Sequence, residues 1–298
     1  MRVLNPVALT TPMVISSVAE NDAPEWDATA TYAAGQLVMK AATHRIYESV
    51  LGGNKGNDPT AAGTTQWLDT GPTNAWAMFD RAVGTDTIAT GSIVLTLTPG
   101  TVSALAVLDT NAETVRVQML VGGIAIYDRT MTANVSGGVI ADWYDFFFSA
   151  IGRLDTLIFP DLPLYSTAQI VVTITGPDPN GPVDVGTLLV GTICELGSTE
   201  VGGSVGTLDF SVKTTDQFGV TDVVERPWSK QFQLKAMVDM SAVDGIQRTV
   251  AGLRAKPCLW IGEDGFDALA IYGFFKDFQI DLTLANIAYL SLTVEGLI

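Results

Sequence analysis

A mainly β fold is what this sequence predicts: a small aromatic-rich β module, then a β-sandwich, then a C-terminal β domain with one flanking helix. Three observations lead there. Runs of alternating apolar and polar residues (SIVLTLT, VSALAVL, TVRVQMLV, GIAIYDRTM, TLIFPDL, AQIVVTITG) recur along the middle of the chain. Gly, Pro, Asn and Asp clusters separate them every eight to twelve residues or so, the spacing of a sandwich or barrel. Helical periodicity is confined to SAVDGIQRTVAGLRA, and six residues near the N-terminus (Trp26, Tyr32, Gly35, Val38, Tyr47 and Trp67) mark a compact aromatic unit.

Residues 1–23 read as an extended arm broken by Pro6 and Pro12. Residues 24–72 form the aromatic module, which ends in the turn-rich DTGPTN. A segment this short buries little apolar surface, so a few aromatics must make most of its core. The sandwich spans 73–190, and GPDPNGPVDVG at 176–186 reads as a rigid loop. The last unit, 191–298, has strands in DFSVKTTDQFG, WSKQFQLKAMVDM, CLWIG, LAIYGFFKDFQIDLTL and AYLSLTVEGLI. Its helix is expected at 241–255, with Ser241 as N-cap and Asp244 at the capping-box position. Val243, Ile246, Val250 and Leu253 then line one face, and Pro257 stops it. In GFFKDFQI, strict alternation puts Phe274 and Phe278 on one strand face and Phe275 on the other, so both faces of that strand should be covered.

Length suggests about two domains at ~150 residues each, with three small ones possible. Hydrophobic residues make up 47% of the chain and mean hydropathy is positive, which suits a large core and disfavours disorder. Charged residues are only 16%, so much of the surface is expected to be covered by other subunits. The net charge of −16 argues against a broad nucleic-acid-binding face and against anionic membranes. No apolar run reaches the ~18 residues of a membrane helix. The N-terminus lacks a sustained apolar signal segment, so the chain is expected to be made in the cytoplasm and not exported by the usual route. Cys194 and Cys258 lie in apolar strand-like runs and read as buried free thiols.

The search for chemistry returns no catalytic set, metal site or cofactor. The chain has one histidine, His44, expected to be exposed or strand-facing, and one histidine cannot supply a two-His zinc site. GSTEVGGSVG lacks the lysine and following helix of a phosphate cradle and reads as a turn. Asp142 and Asp145 flank WY, and Asp109, Asn111 and Glu113 alternate in LDTNAE. Either set could form a glycosidase dyad or a calcium site, but acidic loop residues are the background of an acidic protein.

Residues 25–70 resemble chitin-binding type 3 modules, through TATYAAGQLV, through Arg45–Ile46–Tyr47–Glu48, through Asp58–Pro59 and through Trp67–Leu68. The resemblance implies a core of Trp26, Tyr32, Gly35 and Val38. It also implies that Trp67 is exposed and stacks on a sugar ring, with Tyr47 as a second candidate for that role. Two features depart from the pattern: Asn57 stands where some members carry another aromatic, and GGNKGNDPTAAGTT replaces a tighter loop.

A wider resemblance joins TPMVISSV, PEWD, the module, GPTNAWAMFD and the sandwich: this order is similar to tail proteins of double-stranded DNA bacteriophages. NAWAMFD with the following strands resembles galactose-binding jelly rolls. RPWSKQFQLKAMV, the helix, PCLWIG and YGFFKDFQIDL are similar to tail-tube-like domains. The resemblance implies a non-enzymatic virion protein of a tail tip or baseplate that forms a ring with itself and meets tube, hub and fibre proteins. Host surface glycan is a further implied partner, and nucleic acid and membrane insertion are not. The alternatives are a glycan-binding accessory or receptor-binding protein and, behind it, a glycan-degrading enzyme.

Overall fold

The computed structural model describes residues 1–80, 82–135, 152–215, 217–282 and 285–297. Strands hold 51% of the chain and helical turns 9%, so the protein is mainly β. The carboxylates Asp142 and Asp145 lie outside the described residues.

The N-terminal strands are β1 (Arg2–Pro6) and β2 (Val14–Ser16). The module contributes β3 (Thr31–Tyr32), β4 (Leu37–Lys40), β5 (Arg45–Ser49), β6 (Asn54–Lys55) and β7 (Trp67–Pro72). The sandwich region contributes β8 (Thr87–Thr90), β9 (Ser92–Leu97), β10 (Ala104–Thr110), β11 (Thr114–Val121) and β12 (Ile124–Thr132). It continues with β13 (Asn134–Val135), β14 (Gly152–Arg153), β15 (Leu157–Phe159), β16 (Gln169–Thr175) and β17 (Pro182–Glu195). The last third holds β18 (Ser198–Thr199), β19 (Ser204–Asp209), β20 (Val212–Thr215), β21 (Thr221–Val224) and β22 (Trp228–Asp239). Helix α1 (Val243–Gly252) and strands β23 (Cys258–Ile261), β24 (Ala270–Asp281) and β25 (Ile287–Gly296) complete it.

One curled antiparallel sheet runs β15-β10-β17-β1-β23-β24-β25-β22-β18, with β8 also on β17 and β19 also on β22. A second sheet of five strands, β12-β11-β16-β9-β2, packs against its first third. Alternation decides which side each residue serves. In β10, Leu105 and Val107 face the five-stranded sheet, whereas Ala104, Ala106 and Leu108 turn the other way and meet Leu4, Leu259 and Ile261. The curl therefore lets one sheet bury two faces, at roughly 1.5–3 kcal/mol for each large side chain removed from water.

Two sequence expectations meet this sheet. The arm at 1–23 begins as a strand: β1 pairs with β17 on one side and β23 on the other, with Val3 and Leu4 fully buried. The expected division between 190 and 191 falls within β17, because that one strand pairs with β10 through Gly191 and with β1 up to Glu195. Gly191 is required at the crossover, since a Cβ there would lie 2.1 Å from the Asn5 carbonyl oxygen.

Helix α1 covers the last third of the sheet, burying Ile246, Val250 and Leu253 beside Phe232, Trp260 and Leu292. Its start differs from expectation. A 3-10 turn, Met240–Ala242, precedes it, and the cap is Asp239, whose side chain accepts from the Ser241 amide at 2.8 Å. The Phe reading is corrected as well. A bulge between Phe275 and Asp277 shifts the register, so Phe275 and Phe278 share the core face with centroids 6.5 Å apart, and Phe274 is exposed. One extra residue inverts every later side chain. Cys194 is half-buried and Cys258 buried, and neither forms a disulfide.

Candidate functional site

The aromatic module is a three-stranded sheet, β4-β5-β7, with the two-residue pair β3-β6 beside it. Gly35 opens β4 from a turn at φ +79, a conformation that glycine adopts without strain. Tyr32, Val38, Tyr47 and Trp67 form the core, with Trp26 and Ala30 half-buried against it. The exposed sugar platform expected at Trp67 is corrected here. Trp67 is 5% exposed, meets Tyr32 edge-on at 5.2 Å, and donates from Nε1 to the Asn57 carbonyl at 2.8 Å. Tyr47, the second candidate, is 6% exposed. In β7 it is Leu68, the residue after Trp67, that faces out, and the strand's two-residue period allows only one of the two to do so.

Trp26 packs against this core while staying half-buried, with the Lys40 ammonium 4.9 Å from the centroid of its ring. Lys40 also donates to both oxygens of Asp58, at 2.7 and 2.8 Å. That bond, with the Thr60 hydroxyl and amide, holds the Asp58 carboxyl down to about 2. Tyr32, Tyr47 and Trp67 are buried, and Trp26 is half-buried with Lys40 over its ring. The exposed apolar residues are aliphatic, namely Leu37, Val50, Leu51 and Leu68, and Leu37 and Leu68 flank Glu48 across the outer face. Aliphatic side chains offer a protein contact, not a stacking surface for sugar.

His44 ties the module to the rest of the chain. Its backbone is left-handed (φ +55) and its ring stacks on Trp76 at 3.8 Å. Nδ1 lies 3.0 Å from the Glu20 carboxylate and Nε2 lies 2.8 Å from Thr11 Oγ1. Glu20 also accepts from Thr73 Oγ1 at 2.8 Å, and the Thr73 amide donates to the His44 carbonyl at 2.9 Å. Hydroxyl, imidazole and carboxylate in this order are the parts of an activated nucleophile. Here both ring nitrogens, one ring face and a shared carboxylate oxygen are all engaged in joining arm, module and sandwich. Nothing in the sequence distinguished this histidine, because its partners lie 24 to 33 residues away.

The surface that sequence reasoning missed is the hairpin region 204–228. Strands β20 and β21 pair only with each other. Every described residue of both strands is exposed. Val205, Phe210, Val212, Val223, Val224 and Trp228 are all exposed apolar residues, Trp228 at 56%. An isolated two-stranded ribbon is marginal in water, and this concentration of exposed apolar residues along one segment suits an interaction site. Asp209 anchors its base: the Ser211 hydroxyl and amide, with Lys213, hold that carboxyl down to about 2.

Among the described residues, no group of three or more His, Cys, Asp or Glu side chains could hold a metal ion. Asp109, Asn111 and Glu113 do not converge: Asn111 bonds Asp184, and Glu113 uses its backbone to join β11 to its neighbours. Among the described residues no helix is long and apolar enough to cross a membrane. No protein-family model matches the chain, and a search of curated proteins finds no significant match.

Proposed function

We propose that this chain is a non-enzymatic structural protein of a phage tail tip or baseplate, built to associate with copies of itself and with neighbouring tail proteins. The observation that carries the assembly part is the apolar hairpin region 204–228. Among the described residues β20 and β21 pair only with each other, and every position of both strands is exposed. A second copy is the favoured occupant. Backbone pairing along an open edge and apolar contact do not depend on net charge, so both work between molecules that each carry −16. The tail assignment itself rests on the resemblance of segment order and on the mainly β architecture.

The aromatic module fits this reading as a projecting contact surface, with Leu37 and Leu68 outward and its orientation fixed at His44. Sedimentation across micromolar concentrations, with micrographs of the same samples, tests the proposal. The expected result is closed multimers for the native chain and monomers for Val205→Asp/Val223→Asp, which alters only exposed positions. A native chain that stays monomeric, alone and with tail proteins from its source, would overturn the reading.

A further inference from the structure

A hydroxyl, an imidazole and a carboxylate stand in line where arm, module and sandwich join. Thr11 opens the 3-10 turn Thr11–Met13 of the arm and is exposed. That turn is held at the end of β9, because the Thr98 amide donates to the Met13 carbonyl at 2.9 Å. His44 reaches across from the module and brings Nε2 to 2.8 Å from Thr11 Oγ1. The side chains of His44 and Glu20 are only 12% and 19% exposed, so the base and its carboxylate sit behind a residue that faces water.

Three features aim the ring at Thr11. First, Glu20 sets the tautomer. A carboxylate only accepts, and both its oxygens lie 3.0 Å from Nδ1, so in the neutral ring the proton sits on Nδ1. Nε2 is then the acceptor and the Thr11 hydroxyl the donor, which is the polarity a general base needs. Second, Glu20 is itself fixed, since it accepts from Thr73 Oγ1 at 2.8 Å. Third, Trp76 stacks on the ring at 3.8 Å with the planes 14° apart, and Phe79 meets Trp76 edge-on at 5.3 Å. Swinging the imidazole away from Thr11 would forfeit all of these contacts. Thr10, the residue before, is exposed too and makes no capping bond, so the arm carries a second threonine for comparison.

We propose that Thr11 is an activated nucleophile, with His44 as its general base and Glu20 as the positioning residue, and that it takes the acyl group of an activated ester. Thr11 Oγ1 bonds to the acyl carbon as its proton passes to His44 Nε2. The bond from that carbon to the leaving oxygen or sulfur then breaks, and the leaving group departs with the electron pair and is protonated from Nε2. The products are an ester on Thr11 and a free phenol or thiol. The Thr11 hydroxyl is secondary and the site is open to water, so the donor must carry a leaving group that departs readily. An aryl ester or thioester meets that need and an amide does not. One covalent event per chain is not turnover, so the inference does not rest on the assembly reading and stands beside it.

The test incubates full-length protein with p-nitrophenyl acetate and maps acetyl groups by peptide fragmentation. Thr11 should gain an acetyl ester, removable by alkaline hydroxylamine, about tenfold or more faster than Thr10 in the same chain. Thr11→Val should lose it, and Thr11→Ser, with a less hindered hydroxyl, should gain it at least as fast. His44→Phe keeps a ring against Trp76 without a base and should bring Thr11 down to the Thr10 rate. Glu20→Gln should slow Thr11 by about tenfold or more and leave Thr10 as it was, whereas a merely structural role for Glu20 would not single out Thr11. Release of p-nitrophenolate that continues past one equivalent per chain, and is lost in Thr11→Val, would support the nucleophile and overturn the non-enzymatic reading instead. No acetyl group on Thr11, equal rates at Thr10 and Thr11, or native rates in both His44→Phe and Glu20→Gln would overturn the proposal.

Discussion

Replacing Trp67 by Ala should unfold the aromatic module, and the magnitude can be worked from its surroundings. Trp67 is 5% exposed, so the substitution removes nearly all of a side chain that buries roughly 150–250 Å². It also removes the edge contact to Tyr32 and the Nε1 bond that ties down the Asn57 loop. Trp→Ala in a core costs about 3–5 kcal/mol. Only four residues are buried in this core, so that loss rivals what holds the module closed. Each 1.4 kcal/mol is tenfold in the opening equilibrium, so amides of β4, β5 and β7 should exchange roughly 10²–10³-fold faster. Hydrogen exchange by mass spectrometry reads this directly, with the large sheet as internal reference. Leu68→Ala, one residue along and 57% exposed, is the control and should change exchange within about 0.5 kcal/mol. Unchanged protection in Trp67→Ala, or equal effects from the two substitutions, would refute the placement of Trp67 in the core.

Other expectations follow from the same geometry. Phe275→Asp should lower stability by about 3 kcal/mol or more in thermal unfolding, because Phe275 packs on Trp260, whereas Phe274→Asp should change it little. His44→Ala should leave the module folded but loosen its attachment, read as faster proteolysis at the 20–23 and 72–76 segments, where the Glu20 bond and the stacking on Trp76 are lost. Asp58 is depressed to about 2, so its stabilising bond to Lys40 is fully present above the ordinary carboxylate value of 3.8 and fades as pH falls toward 2. Module protection should therefore drop across that window in the native chain, and less steeply in Asp58→Asn. Self-association should strengthen as salt rises from low to moderate concentration, because copies with a charge of −16 repel until screened.

The alternating runs were enough to read a mainly β chain, and the helical stripe was enough to find α1, since both signals are local. What escaped needed a partner far along the chain. Arg2–Pro6 is an unremarkable extended segment until β17 and β23 flank it. Ser241 is as good a cap as Asp239 by residue type, and only the 3-10 turn at Met240 decides between them. Phe274 and Phe278 were assigned to one face by a period that the bulge at Lys276 breaks. Trp67 and Leu68 are adjacent, and which one enters a four-residue core depends on the tilt of β7 against Tyr32. The hairpin at 204–228 reads as ordinary strands because exposure is not written in alternation.

The most direct measurement of the assembly claim is hydrogen exchange across 204–224 in dilute protein and in the multimer. The account predicts rapid exchange of β20 and β21 amides in the monomer and strong protection once the chain assembles, with the five-stranded sheet unchanged in both. Multimers in which these amides still exchange at the monomer rate would contradict it.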